Sequence, residues 1–132
     1  IKNMVEKHKN EKCVIICERS VWTDRYVFAK MLYDQGKIES VNFQIYLKWF
    51  DEFINEYPLE AIIHVVTPPD VCNERIKQRG REGENIPFSY LIQCGKYHDD
   101  WLDGKMKLDV PSNFDEKYLG NIYAFLDNFF SS

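Results

Sequence analysis

Hydrophobic and polar positions along the chain fall into two alternating patterns. Short apolar runs, such as "CVIIC" at 13–17 and "AIIHVV" at 61–66, alternate with longer stretches in which apolar residues recur every three to four positions. The short runs predict strands at 12–17, 60–66 and 106–110, each a short, mainly apolar run consistent with burial on both faces. The longer stretches predict helices. One covers 21–34 and stops at "DQGK". A second, within "VNFQIYLKWFDEFINEY", carries Val41, Ile45, Trp49, Phe50, Phe53 and Ile54 as its apolar stripe. A third follows "TPPD": Thr67 is the expected cap, Pro68 and Pro69 fit the first turn, and Asp70 favours the positive end of the helix dipole. Gly80 is its expected C-terminal cap. Residues 81–86, "REGENI", lack periodicity and read as a loop. A fourth helix runs from about Pro87 to Leu102, and a last one carries Tyr118, Leu119, Ile122, Leu126 and Phe129. Strands alternating with helices predict an α/β fold, a parallel sheet flanked by helices.

Length and charge narrow the picture. A chain of 132 residues suits a single domain, 1–132, with a real core. With 17 Lys and Arg against 21 Asp and Glu, the formal net charge of −4 argues against nucleic acid as a partner. No apolar run approaches the length of a membrane span, so no membrane association is expected. Cys13, Cys17, Cys72 and Cys94 form no CxxC pair. Cys13 and Cys17 fall in or beside the first strand, where free thiols act as small hydrophobes; reduced cysteines and an intracellular setting, cytoplasmic or mitochondrial, are expected. The opening "IKNMVEKHKNEK" begins without Met and reads like the end of a helix, which predicts that the chain is part of a longer one.

Candidate chemistry collects at the ends of strands. Ligands of open parallel sheets bind beyond the carboxyl ends of the strands. Glu18 and Arg19 follow strand 12–17 at that edge; the alternative is a solvated pair before a helix capped by Ser20. Asp24 and Phe28, four apart on one helix face, could read a nucleobase with a carboxylate and a ring, or Phe28 could join the core with Val21, Met31 and Leu32. Arg75 and Arg79 share a helix face, and Arg81 lies just beyond Gly80. Three guanidinium groups near a glycine hinge suit a polyphosphate, although cations at a helix C-terminus are also common. With Glu84 in the following loop they make a candidate lid over a nucleotide.

In this order and spacing, "ERSVWTDRYVFAKMLYDQGKI", "TPPDVCNERIKQRGREGE" and "YHDDWL" resemble the cellular deoxynucleoside kinases, the deoxycytidine and deoxyguanosine kinase branch above all. The resemblance runs from about residue 11 to the end. It implies a P-loop nucleoside/nucleotide kinase-like fold, here incomplete, holding the family's strands three to five. It implies transfer of the γ-phosphoryl of ATP or another nucleoside triphosphate to a deoxynucleoside 5′-hydroxyl, with Mg2+. Glu18 would help organise the magnesium through water, and Arg19 would contact the acceptor oxygen and the moving phosphate. Asp24 would read the base edge, favouring deoxycytidine or purine deoxynucleosides; Phe28 would pack on the base. Arg75, Arg79 and Arg81 would hold the donor phosphates, Glu84 the sugar 3′-hydroxyl, and Asn113 and Phe114 the donor base. A homodimer through helix 41–56 is implied, with Trp49 and Phe50 available either to that contact or to the core.

Departures accompany the resemblance. The chain contains no GxxxxGK[ST], and the family's general-base glutamate and two further base-reading residues would lie upstream. The family's phosphate-loop strand would sit between 12–17 and 60–66. The lid is one residue shorter after Glu84, and the stretch from Trp101 to Leu108 is shorter than in animal enzymes. This chain alone is therefore expected to turn over little. Two other readings stay open: a thymidylate kinase-like nucleotide kinase, and a non-catalytic nucleotide-binding or interaction fragment.

Overall fold

The computed structural model describes residues 2–54, 58–113 and 115–130, the side chains at 117, 129 and 130 apart. The chain divides into two compact units, residues 1–18 with 113–132 and residues 19–112. The first contains helix α1 (Lys2–His8) and helix α7 (Glu116–Phe130). The second holds the remaining elements. A continuous helical stretch opens with α2 (Val21–Thr23), passes through a π-helical segment (Asp24–Ala29) and ends as α3 (Lys30–Asp34). Then come α4 (Ser40–Ile54), strand β1 (Ile62–Val66), α5 (Pro69–Arg79), α6 (Phe88–Leu102) and strand β2 (Lys107–Pro111).

β1 and β2 pair in parallel, Ile62 opposite Lys107 through Val66 opposite Pro111. Parallel neighbours need a long crossover, and α5 with α6 supplies it. Pro111 cannot donate to the ladder and stands at its last position, where that deficit is tolerated. The core of this unit joins the helical stretch to α4, α6 and β2: Val27, Met31, Phe43, Phe50, Leu102 and Val110 are all buried. Aromatic geometry fixes its centre. Tyr33 stacks on Phe43 with centroids 4.3 Å apart, and Trp22 presents its edge to Phe50 at 5.0 Å.

The expected helices are present, and two of the three expected strands. Residues 12–17 form no strand; Cys13, Val14, Ile16 and Cys17 are exposed. A strand is held by its ladder, and among the described residues none runs beside this segment. The thiols at 13 and 17 are therefore not the buried hydrophobes expected. Thr67 is not the cap of α5: Pro68 occupies that position, without a side-chain capping bond, and its carbonyl accepts from the Cys72 N–H at 3.0 Å. Gly80 does end the helix, in the left-handed conformation at φ 57°. The apolar stripe expected on α4 splits. Phe50 is buried with Phe43, whereas Val41, Ile45, Trp49 and Phe53 are exposed. The helix buries the face one position round from the one that apolar spacing selects.

Candidate active site

The junction before α2 is shaped by backbone as much as by side chain. Ser20 is extended (φ −154°) at the N-cap, and its carbonyl accepts from the N–H groups of Thr23 and Asp24 at 3.0 and 3.3 Å. Its hydroxyl makes no capping bond. Arg19, immediately before it, has φ 57°, a conformation rarely held by a residue with a side chain. That turn carries the guanidinium over the ring of Phe28, 5.5 Å from its centroid. A cation on an aromatic face gains electrostatic attraction from the ring quadrupole. Arg19 also acts electrostatically on Tyr90 and Cys94 of α6. Burial pushes the Tyr90 phenol and the Cys94 thiol above their ordinary values, so both stay neutral near pH 7.

Phe28 is half-buried, neither a free platform nor a core residue. The His98 ring also lies beside it, edge to face at 6.3 Å. His98 Nδ1 lies 2.7 Å from the Cys94 carbonyl, which can only accept, so that nitrogen carries the proton. Behind it His64 stacks at 6.3 Å, bonded through Nδ1 to Asp109 at 2.9 Å across the β1–β2 pair. Lys107 completes the row, 3.0 Å from the other Asp109 oxygen. The lysine, first, and His64 hold the Asp109 carboxyl below its usual range.

Asp24 opens the π-helical segment, one turn before Phe28. Such segments replace one regular turn by a wider one and recur at functional sites. The Tyr46 hydroxyl of α4 donates to Asp24 Oδ2 at 2.7 Å. Tyr46 was not among the residues singled out by sequence. Its signal was there: a phenol on the stripe of Phe43 and Phe50, where a buried ring with a polar tip needs a partner. Tyr90 and His98 were missed as well, because they join the site only through the packing of α6 against the π-helical segment.

The lid candidates form a second group. Arg79 and Glu84 meet across the turn, Nη2 to Oε1 at 2.5 Å and Nε to Oε2 at 3.2 Å. Gly80 and Gly83, both with positive φ, and a bond from the Glu84 N–H to the Arg81 carbonyl at 3.1 Å shape that turn. Arg75 and Arg81 are exposed and, among the described residues, make no ion pair. They are cations with free donors. Glu18 and Asn113 are exposed and belong to the other compact unit, while Phe114 lies outside the described residues. Among the described residues no three His, Cys, Asp or Glu side chains gather as metal ligands. The structure thus brings together Arg19 with Phe28, and Arg79 with Glu84.

Comparison with known proteins gives a consistent result. The family model described as deoxynucleoside kinase matches residues 1–124. Deoxycytidine kinase 2 of Gallus gallus is 40% identical over 111 residues, which cover 80% of this chain and 42% of that protein. A probable deoxycytidine kinase of fowlpox virus is 32% identical, over 98% of this chain and 63% of its own length. Human mitochondrial thymidine kinase 2 is 33% identical over 75% of this chain and 39% of itself. The chain thus spans about half the length of these curated relatives. Among solved structures, the deoxyadenosine kinase of M. mycoides with dCMP and dCDP bound superposes with a TM-score of 0.70 at 20% identity, covering 96% of this chain and 67% of that one. That likeness gives the fold, α/β and P-loop kinase-like, of which two parallel strands and their crossover helices are present here. This chain belongs to the deoxynucleoside kinase family.

Proposed function

We propose that the protein to which this chain belongs transfers the γ-phosphoryl of ATP, or of another nucleoside triphosphate, to the 5′-hydroxyl of a deoxynucleoside. Residues 1–132 serve it as one partial kinase domain. The observation that carries this reading is the Arg19 guanidinium lying 5.5 Å from the Phe28 ring. A residue suited to a base and a residue suited to a phosphate stand together at the start of one helical stretch. Such reactions need little covalent chemistry from the protein, which positions the reactants and stabilises charge. Arg19 would steady the charge developing on the transferring phosphoryl group. Arg75, Arg79 and Arg81 would clamp the donor phosphates, two of them with donors still free. Glu84, held by Arg79, would present a carboxylate oxygen to the sugar 3′-hydroxyl. Asp24 and Phe28 would read and pack the base, favouring deoxycytidine or a purine deoxynucleoside, and Asn113 and Phe114 would meet the donor base.

Magnesium fits this donor set as an ion held largely by substrate. Mg2+ favours a carboxylate or two plus substrate phosphates over an all-protein cage, and exposed Glu18 offers one hard oxygen donor. When bound, the ion would neutralise charge between donor phosphates. Val41, Ile45, Trp49 and Phe53, spaced by four along the exposed face of α4, support a homodimer through that helix. The acidic net charge supports an absence of nucleic-acid partners. Four free cysteines support an intracellular setting, cytoplasmic or mitochondrial.

The test is turnover by the full-length protein with magnesium and ATP. Deoxycytidine and deoxyguanosine should be converted to their 5′-monophosphates, and thymidine monophosphate should not be a substrate. Arg19→Ala should lower kcat by about a hundredfold, the size typical of removing one transition-state donor. Preferential use of thymidine monophosphate would instead make this a nucleotide kinase. Binding without turnover would leave an interaction module. Either result overturns the proposal.

A further inference from the structure

We infer that Tyr46 is a positioning residue that sets the polarity of base recognition, holding Asp24 as an acceptor-only carboxylate for bases that present an exocyclic amino group. This rests on the reading of Asp24 as the base-reading acid and goes beyond it by naming what orients that acid. Three observations carry it.

The Tyr46 ring is fixed. Phe43 stacks beside it at 6.4 Å and Phe50 packs on it at 6.3 Å, and both are buried. A phenol between two immobile rings delivers its hydroxyl to one place, and that place is Asp24 Oδ2, 2.7 Å away. The nearest cation on the same helical segment is committed elsewhere. Arg25 pairs with Asp51 and lies over the rings of Tyr26 and Phe50, at 5.3 and 4.5 Å. Among the described residues, Tyr46 is thus the side chain that holds Asp24, and Oδ1 accepts no side-chain hydrogen bond there.

Chemistry then fixes the direction of recognition. The phenol O–H occupies Oδ2 of the Asp24 carboxylate, and a carboxylate oxygen such as Oδ1 can accept hydrogen bonds and cannot give one. Burial, followed by the Asp24 carboxylate, pushes the Tyr46 phenol far above its ordinary value, so the proton stays on the donor at any working pH. Oδ1 can then pair with an amino N–H of cytosine, adenine or guanine. Against the carbonyl that uracil presents in place of cytosine's amino group it sets lone pair against lone pair, an arrangement that discriminates by repulsion as well as attraction.

Deoxycytidine and deoxyuridine differ, at the position concerned, by amino against oxo and make the test direct. In the full-length protein, Tyr46→Phe keeps the ring and its packing and removes only the hydroxyl. It should lower the deoxycytidine-to-deoxyuridine ratio of kcat/KM by about tenfold, through a raised KM for deoxycytidine, with kcat and the donor KM within about twofold of the parent. Asp24→Asn, whose amide can also donate, should move the ratio further toward deoxyuridine. An unchanged ratio in Tyr46→Phe, or equal losses for both nucleosides, would overturn the role given to Tyr46 while leaving the kinase reading intact. A parent protein that binds no deoxynucleoside overturns that reading, and this inference with it.

Discussion

Gly80 sits between two lid arginines in a conformation that only glycine adopts without strain, and replacing it tests whether that turn is functional. At φ +57° an added Cβ would lie 3.8 Å from the Lys77 carbonyl and 3.9 Å from that of Gln78, ordinary van der Waals distances. Steric clash is therefore excluded, and what remains is backbone strain. An L-residue in the left-handed region costs about 1–2 kcal/mol. Alanine also narrows the unfolded ensemble, which returns roughly 0.4–1 kcal/mol. The net loss for Gly80→Ala should be about 1 kcal/mol, a fall of roughly 3–5 °C in Tm for a chain of this size. Asparagine, which tolerates this region better, should lose about half as much. Gly36 provides a matched control, since its φ is +68° and its Cβ would meet nothing within 4 Å. Gly36→Ala should cost the same stability. The two should part in kinetics. A distorted turn at 80 displaces Arg81 and the Arg79–Glu84 pair, and should raise the donor KM of the full-length protein by about tenfold, below the hundredfold that a 1 Å displacement can bring. Gly36→Ala should leave it alone. Urea denaturation and donor titration of both variants decide the matter. Equal donor KM for the two would refute the lid reasoning, and a Gly80→Ala protein as stable as its parent would refute the strain arithmetic.

Glu84→Gln should weaken binding of deoxynucleosides about tenfold while leaving 2′,3′-dideoxynucleosides unaffected, because only the former present a 3′-hydroxyl; equal losses in a KM comparison would contradict the role proposed for Glu84. Phe50→Ala should cost about 3–5 kcal/mol in urea unfolding, since its ring is buried and supports Trp22, Tyr46 and Arg25 together; a loss below 1 kcal/mol would be incompatible with that packing. Stability should also fall at both ends of the pH scale. Asp34, held low by Lys30 and then Tyr97, and Asp109, held low by Lys107 and then His64, stabilise the fold above their unfolded values near pH 4. That contribution is lost as pH falls further, through their folded values. Tyr97, pushed up to about 12 chiefly by its bond to Asp34, stabilises the fold below about pH 10, and that contribution is lost as pH rises through 12. Thermal melts of Asp109→Asn and Tyr97→Phe should show shallower acid and alkaline limbs; unchanged limbs would contradict these pairings.

Helices were legible because each carries local evidence: apolar spacing, a glycine stop at 80, prolines at the start of α5. The segment 12–17 misled because an apolar run reports only a wish for burial. Whether it becomes a strand depends on a neighbour that its own residues cannot specify. The stripe of α4 misled for a related reason. Spacing by four marks Val41, Ile45, Trp49 and Phe53 as one face, yet Phe43 and Phe50 are the residues that meet Tyr33 and Trp22. Both faces are apolar, and only packing selects between them. Among the candidate site residues, Arg19, Asp24, Phe28, Arg79 and Glu84 were singled out through motif and charge. Tyr46, Tyr90 and His98 were not, since each reaches the site from an element distant in sequence. The π-helical segment left no local mark either, as its residues, "DRYVFA", include no Gly or Pro to signal a departure from regular helix.

The left-handed turn at Arg19 has an evolutionary corollary. A glycine there would relieve about 1–2 kcal/mol of backbone strain, of which a looser unfolded chain takes back roughly 0.4–1 kcal/mol, so random substitution still offers a small gain in robustness at that very position. A screen for heat resistance alone would drift toward it and discard the cation over Phe28 along the way. Strain held at one residue, against a standing thermodynamic incentive to remove it, is the arrangement expected where a side chain serves something other than folding.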